Sequence, residues 1–223
     1  MMSIWSDVGT IISALLSMDG FSIRSALRSD AAWIVGAAVL IVGGFAVAIL
    51  YRRVPLFERY FERSIMVTMY LAMALIIFRG VVNRFVFEDM SSWSTTVPPL
   101  LFMIMAWFGA AYNIRVRTHL AFSEFRTAMP RPAQLACLSL DFVLWMGFAL
   151  ILLVTTTRLT VLSATNFQIV LGTDHTMQWW FLITVPLAAI LMAARAIENI
   201  LDDVRNYRSG QPLIRQAVIG GES

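Results

Sequence analysis

His119 and His175 are the only two histidines in the chain. A b-type heme held between helices is the first chemistry they could support. Such a heme commonly takes two facing imidazoles at one depth. His119 follows an apolar run through Arg115 and Arg117, whereas His175 lies in a polar stretch between two other runs. The topology derived below puts them on opposite faces, about 30 Å of hydrocarbon apart, so one heme cannot join them. The other reactive groups are scattered as well. Thr155, Thr156 and Thr157 share a helix face with no histidine or carboxylate, and their hydroxyls are expected to bond back to helical carbonyls. Asp202 and Asp203 read as a solvated acidic pair, and a metal site needs clustered His, Cys, Asp or Glu. Cys137 is the single cysteine; it excludes an internal disulfide and reads as a small buried hydrophobe. No phosphate-cradling glycine motif supports ATP-driven transport. The sequence thus predicts no catalytic residue, no cofactor and no metal.

Ionisable residues inside apolar runs are the remaining candidates, because burying them in lipid is expensive. Arg79 lies about two-thirds along one run, with Asn83 and Arg84 after it. Arg84 is expected to snorkel to the interface. Arg79 is deeper and is expected to face a second subunit or a lipid phosphate. Asp141 lies at the wrong depth for Arg79, so Arg195 or Arg115 is its expected partner. Gly109, Ala110 and Ala111 form a small-residue step that lets two helix backbones approach closely. The facing helix could belong to this chain or to another subunit.

These residues must be held by membrane helices. The chain of 223 residues is 59% hydrophobic and 14% charged, against about 25% charged in soluble domains. Five runs approach the ~20 residues needed to span a bilayer: Ala31–Tyr51, Ser64–Phe87, Val97–Asn113, Leu135–Thr157 and Met177–Ile200. The third is expected to start at Pro98-Pro99, since proline suits a first helical turn. A kink is expected at Pro186. The predicted fold is therefore an all-α integral membrane bundle of five transmembrane helices.

Arginine placement orients it. Arg52, Arg53, Arg59, Arg63, Arg115, Arg117, Arg126, Arg131, Arg195, Arg205, Arg208 and Arg215 fall on one side, and Arg24, Arg28 and Arg158 on the other. The positive-inside rule then predicts a cytoplasmic C-terminus and a periplasmic N-terminus. The net charge of +3 does not point to nucleic acid, because the arginines cap apolar runs rather than sharing a face.

The first 19 residues read as an amphipathic helix lying in the interface. A signal peptide is disfavoured by the lack of a basic n-region. Val54–Arg63 and Leu120–Met129 read as surface-lying cytoplasmic connectors. Trp93, Trp179 and Trp180 are expected at the outer interface, where indoles anchor. Arg158–Thr176 is expected to be a long outer loop, and the segment after Asn206 a mobile tail.

Taken in order, Glu62-Arg63 opens a helix, and V-V-N-R-F-V-F ends the second run with Arg84 inside it. Trp93 follows, then F-G-A-A, Arg115, Arg117 and His119-Leu120, and finally Pro186 with Arg195. From about Phe57 to Asp203 this order resembles the DctQ-like small membrane subunit of tripartite ATP-independent periplasmic (TRAP) transporters. Three features depart from the family pattern. Ser94, Thr95 and Thr96 follow Trp93 where acidic residues are common, and Ser123 stands where an acidic residue often follows the histidine. The usual small subunit has four spans, to which this chain adds Ala31–Tyr51.

The resemblance implies a four-helix domain over 52–205, after an amphipathic segment (1–30) and an extra helix (31–51), with a cytoplasmic tail at 206–223. It also implies a bacterial inner-membrane scaffold subunit that is not an enzyme. Its partners would be a large transport subunit, transiently a periplasmic substrate-binding protein, and phospholipid. The transport would be sodium-coupled import (symport) of an organic acid, with a C4-dicarboxylate the most frequent cargo in the family. A membrane anchor for a redox complex and a stand-alone small transporter are the alternatives.

Overall fold

The computed structural model describes residues 2–17, 20–89, 91–117 and 126–213. Two short helices, α1 (Met2–Ser17) and α2 (Gly20–Ala26), precede the long ones. Then come α3 (Ala31–Arg53), α4 (Pro55–Val86), α5 (Trp93–Val116), α6 (Arg131–Thr165), α7 (Trp179–Leu182) and α8 (Thr184–Ser209). Five segments are long and apolar enough to cross a membrane, with α7 and α8 counted as one. The protein is an all-α integral membrane protein.

Local chemistry sets most of the boundaries. A residue before proline avoids the α region, and Val54, at φ −125° and ψ 85°, breaks the chain between α3 and α4. Pro55 then opens α4 in the first turn, where its missing N–H is no loss. From there α4 runs unbroken for 32 residues, so Val54–Arg63 is not a separate surface connector. It contains nothing that stops a helix after Pro55.

The third span starts earlier than expected. Trp93 is the first residue of α5 rather than part of the loop, and Pro98 and Pro99 lie inside the helix. Prolines remove the backbone donors for the Ser94 and Thr95 carbonyls there, and nearby hydroxyls tie the same end of the helix to other carbonyls. Ser94 Oγ donates to the Ser91 carbonyl (2.7 Å) and Thr96 Oγ1 to that of Leu171 (2.6 Å). α5 ends at Arg117, which adopts the left-handed conformation.

α6 extends to Thr165, well past the predicted end at Thr157. Thr155 and Thr156 each donate to a carbonyl four residues back, at 2.6 Å, so they continue the helix rather than ending it. The connection expected over Arg158–Thr176 shrinks accordingly to 166–178, with one bridge between Ile169 and Met177. The break near Pro186 falls at Ile183, between α7 and α8, and Pro186 occupies the first turn of α8. α8 continues through Ser209, so the tail does not begin at Asn206.

α8 is the axis of the bundle. It packs against α6, α3 and α5, while α4 packs mainly on α5. About two-thirds of the most apolar stretch of Trp179–Ser209 is buried (67%), against none of that of α4 (0%). Alanines make this density possible: Ala188, Ala189, Ala193 and Ala194 are all fully buried on α8. Opposite them, a Cβ on Gly44 of α3 would come within 3.0 Å of Ile197 and 3.4 Å of the Ala193 Cβ. α1 packs on α3 through Ile11 and Ala14, so the N-terminal helices are integrated into the bundle.

Gly172 locks the 166–178 loop onto the start of α5. Its φ is +80°, and a Cβ there would lie 2.7 Å from the Trp93 nitrogen and 2.8 Å from the Ser92 carbonyl carbon. Backbone atoms cannot yield as a side-chain tip can. Gly172→Ala is expected to lose about 1–3 kcal/mol from the left-handed strain alone, with more from the clash. A lower melting temperature in detergent, with the Val170 and Thr173 amides losing hydrogen-exchange protection, checks it; wild-type values would refute the lock.

Candidate functional site

The polar chemistry of the molecule converges where α3 ends and α4 begins. Arg195 of α8 is 1% exposed, as is Glu62 of α4. Arg195 Nε donates to Glu62 Oε1 at 2.9 Å and its Nη2 to Glu62 Oε2 at 3.0 Å. This paired geometry adds direction as well as attraction. Nη1 donates to Glu198 Oε2 at 2.8 Å, and Nη2 also to the Glu58 carbonyl at 3.0 Å. Tyr51, fully buried in the last turn of α3, donates its hydroxyl to Glu62 Oε1 at 2.8 Å, while its ring lies 3.7 Å from the Arg195 guanidinium carbon. Three helices are thus tied by one satisfied arginine.

The network extends to α5. Arg115 donates to the Glu58 carbonyl at 2.7 Å and pairs with its carboxylate at 3.0 Å. Asn199 donates to the Ile114 carbonyl at 2.8 Å, satisfying a helix-end acceptor. Arg117 Nη2 donates to the Asn199 carbonyl at 3.1 Å and lies 2.8 Å from Asp203 Oδ1. That last contact is an ion pair by distance without an aligned hydrogen bond. Asp203 is therefore buried, whereas its neighbour Asp202 is solvated; the pair does not form one exposed face.

Asp141 pairs with neither Arg195 nor Arg115. Its partner is Arg126, which approaches both carboxylate oxygens, Nη2 to Oδ1 at 3.1 Å. The hydrogen bond to Asp141 pushes the Arg126 pKa up further. The reason for the different partner is competition: Arg195 is already saturated by Glu62 and Glu198, and Arg115 by Glu58. A cavity of about 30 Å³ remains between Arg117, Asp141, Asn199 and Asp203, room for roughly one water. This arrangement can clamp helices.

The other sequence candidates lie elsewhere. Arg79 is exposed on α4, its guanidinium 5.3 Å from the Trp93 ring centroid, so an indole of this chain shares it. The Asn83 carbonyl accepts the amides of Phe87 and Asp89, ending α4. Arg84 is exposed beside Phe85. Gly109 faces α4 of this chain, where a Cβ would meet the Met66 sulfur at 3.2 Å. That sulfur is the end of a flexible side chain, so the approach is looser than at Gly44. Ala110 is half-buried and Ala111 fully buried. Pro186 is buried, and Cys137 is only half-buried. His119 and most of the Leu120–Met129 connector fall outside the described residues. Among the described residues no group of three or more His, Cys, Asp or Glu is placed to hold a metal.

Glu58 and Tyr51 were not singled out from sequence, and Glu62, expected with Arg63 to open a helix, lies inside α4, which begins at Pro55. A signal existed. Read as one continuous helix, Glu62 lies on the stripe of Ile65, Met66 and Met69, which packs on the core. A carboxylate centred on an apolar stripe demands a buried cation.

Comparison with known families is informative over the second half of α4 and everything up to the end of α8. No curated protein matches the chain. The model of the DctQ component of tripartite ATP-independent periplasmic transporters matches residues 73–206. The match takes in Arg79, Arg84, the Gly109 step, Arg117, Asp141 and Arg195, and leaves Glu62 and the whole of α1–α3 before it. It covers more than half of the chain, which therefore belongs to the DctQ family of tripartite transporter components.

Proposed function

We propose that this chain is the small scaffold subunit that braces a large membrane transport subunit, for sodium-coupled import of an organic acid brought by a periplasmic binding protein. A C4-dicarboxylate is the cargo proposed. The chain itself carries no reaction. Its arginine-rich end, with the C-terminus, faces the cytoplasm of an inner membrane, by the positive-inside rule. The 52–205 region is the family-like brace, and α1 to α3 add further surface to it.

The observation that carries this reading is the outer stripe of α4. Val67, Leu71, Leu75, Phe78 and Phe85 recur at helical spacing, and all are at least half exposed. The opposite stripe of the same helix packs on α5. A peripheral helix with one face used and one face open suits a brace, and the Arg195 clamp keeps it at a fixed angle.

A photo-crosslinking residue at Leu75 or Phe78 tests the reading in cells that also express the neighbouring large subunit. A crosslinked band containing that subunit is expected, with none from the same probe at buried Leu40. Crosslinks to lipid alone, or sodium-driven uptake by this chain alone in vesicles, would refute it.

A further inference from the structure

Arg24, Arg28 and Arg158 are the arginines that lie outside the apolar runs on the arginine-poor side of the chain, and they are separated by up to 134 residues. The fold brings all three to one place. They line a cavity of about 270 Å³ between the α2–α3 turn and the far end of α6, together with Leu27, Leu159 and Leu162 among others. Among the described residues no carboxylate lines it. The volume is just below the ~300–1,000 Å³ usual for ligand pockets.

We propose that this cavity binds the headgroup of an anionic phospholipid, with an acyl chain laid against α6. The shared chemistry is a phosphate held by guanidinium groups, whose planar donors match its oxygens. Three features favour a lipid over a soluble anion. Thr155 lies about 30 Å along the helix from Leu135, one hydrocarbon thickness, so the cavity opens at headgroup depth. Half of its lining residues are leucine or valine, and Leu159 is half exposed beside it. Trp33 lies 5.7 Å under the Arg158 guanidinium, as an indole at an interface does.

The three arginines divide the work. Arg158 donates from Nε to the Leu27 carbonyl at 2.6 Å and from Nη2 to that of Ser29 at 3.3 Å, which holds the turn in place. It is a positioning residue. Arg24 makes one long contact with Asn166 Oδ1 at 3.4 Å, and Arg28 is exposed. These two have donors to spare for a phosphate. Both lie outside the family-matched segment, so the N-terminal addition supplies the free guanidinium groups and the matched α6 supplies the opposite wall.

Delipidated full-length protein should be examined by native mass spectrometry with dioleoyl phosphatidylglycerol, dioleoyl phosphatidylcholine or inorganic phosphate. Each arginine near an anionic headgroup contributes roughly a factor of five. Wild type is expected to retain phosphatidylglycerol at least about tenfold better than phosphatidylcholine. Arg24→Gln/Arg28→Gln is expected to erase that preference, while Arg208→Gln at the opposite end keeps it. A photoactivatable phosphatidylglycerol should label α6 near Leu159 in wild type and not in the double variant. Unchanged preference in the double variant overturns the proposal. So does displacement by millimolar phosphate, which would assign the cavity to a free anion. Loss of a bound periplasmic protein with unchanged lipid retention would assign it to protein docking and overturn it too.

Discussion

Glu62→Ala is expected to lower the stability of the folded chain by about 3–5 kcal/mol, the range for removing one partner of a buried pair. The variant leaves Arg195 with a full charge at 1% exposure and removes the acceptor of the Tyr51 hydroxyl. α3 and α4 then lose their common anchor on α8. Melting of the detergent-solubilised protein, followed by size-exclusion chromatography, measures the loss. Glu58→Ala is the matched comparison. Its carboxylate is 36% exposed, so only about 0–1 kcal/mol should be lost, because its main-chain carbonyl still accepts from Arg115 and Arg195.

The sharper version is the double variant Glu62→Leu/Arg195→Met. Replacing both members of a buried pair with apolar residues is often neutral. The double variant should therefore be more stable than either single variant, though Glu198 loses its partner as well. Additive losses would show that the two residues do not form one clamp.

Gly44→Leu carries the second large effect. Its Cβ would already lie 3.0 Å from Ile197 and 3.5 Å from the Ala194 nitrogen, so a leucine has nowhere to go. Overpacking a tight core costs about 1–3 kcal/mol, occasionally more. Here the opposing atoms include the backbone of α8, which shares its position with α5 and α6. The expected result is a displaced α3, a lower melting temperature and poor recovery of monodisperse protein. Gly147→Leu is the control: nothing lies within 4 Å of its added Cβ, and it should behave as wild type. Gly109→Leu should fall between them, since only the Met66 sulfur must move.

Helix identity and number were legible in the sequence because an apolar run long enough to cross lipid has few alternatives. In hydrocarbon every backbone polar group must bond within its own segment. Composition and run length therefore determined the all-α bundle of five membrane helices. The order of Arg84, Trp93, F-G-A-A, Pro186 and Arg195 pointed to the family. Boundaries were less legible. Polar threonines put the expected end of α6 at Thr157, although hydroxyls that bond back to carbonyls, as these do, let the helix run on to Thr165. Pro98-Pro99 reads as a start, although the helix begins at Trp93.

Pairing was decided by tertiary structure alone. Asp141 had two expected arginines by depth, Arg195 and Arg115, and only the tertiary packing showed that Glu62 and Glu58 already occupied them. The same packing put Gly44, rather than Gly109, against the backbone of a neighbouring helix. It also gathered Arg24, Arg28 and Arg158 around one cavity. Spacing along a helix fixes which residues share a face, to within a turn. Which faces meet depends on how side chains from distant segments fill one volume, and a one-dimensional pattern does not contain that information.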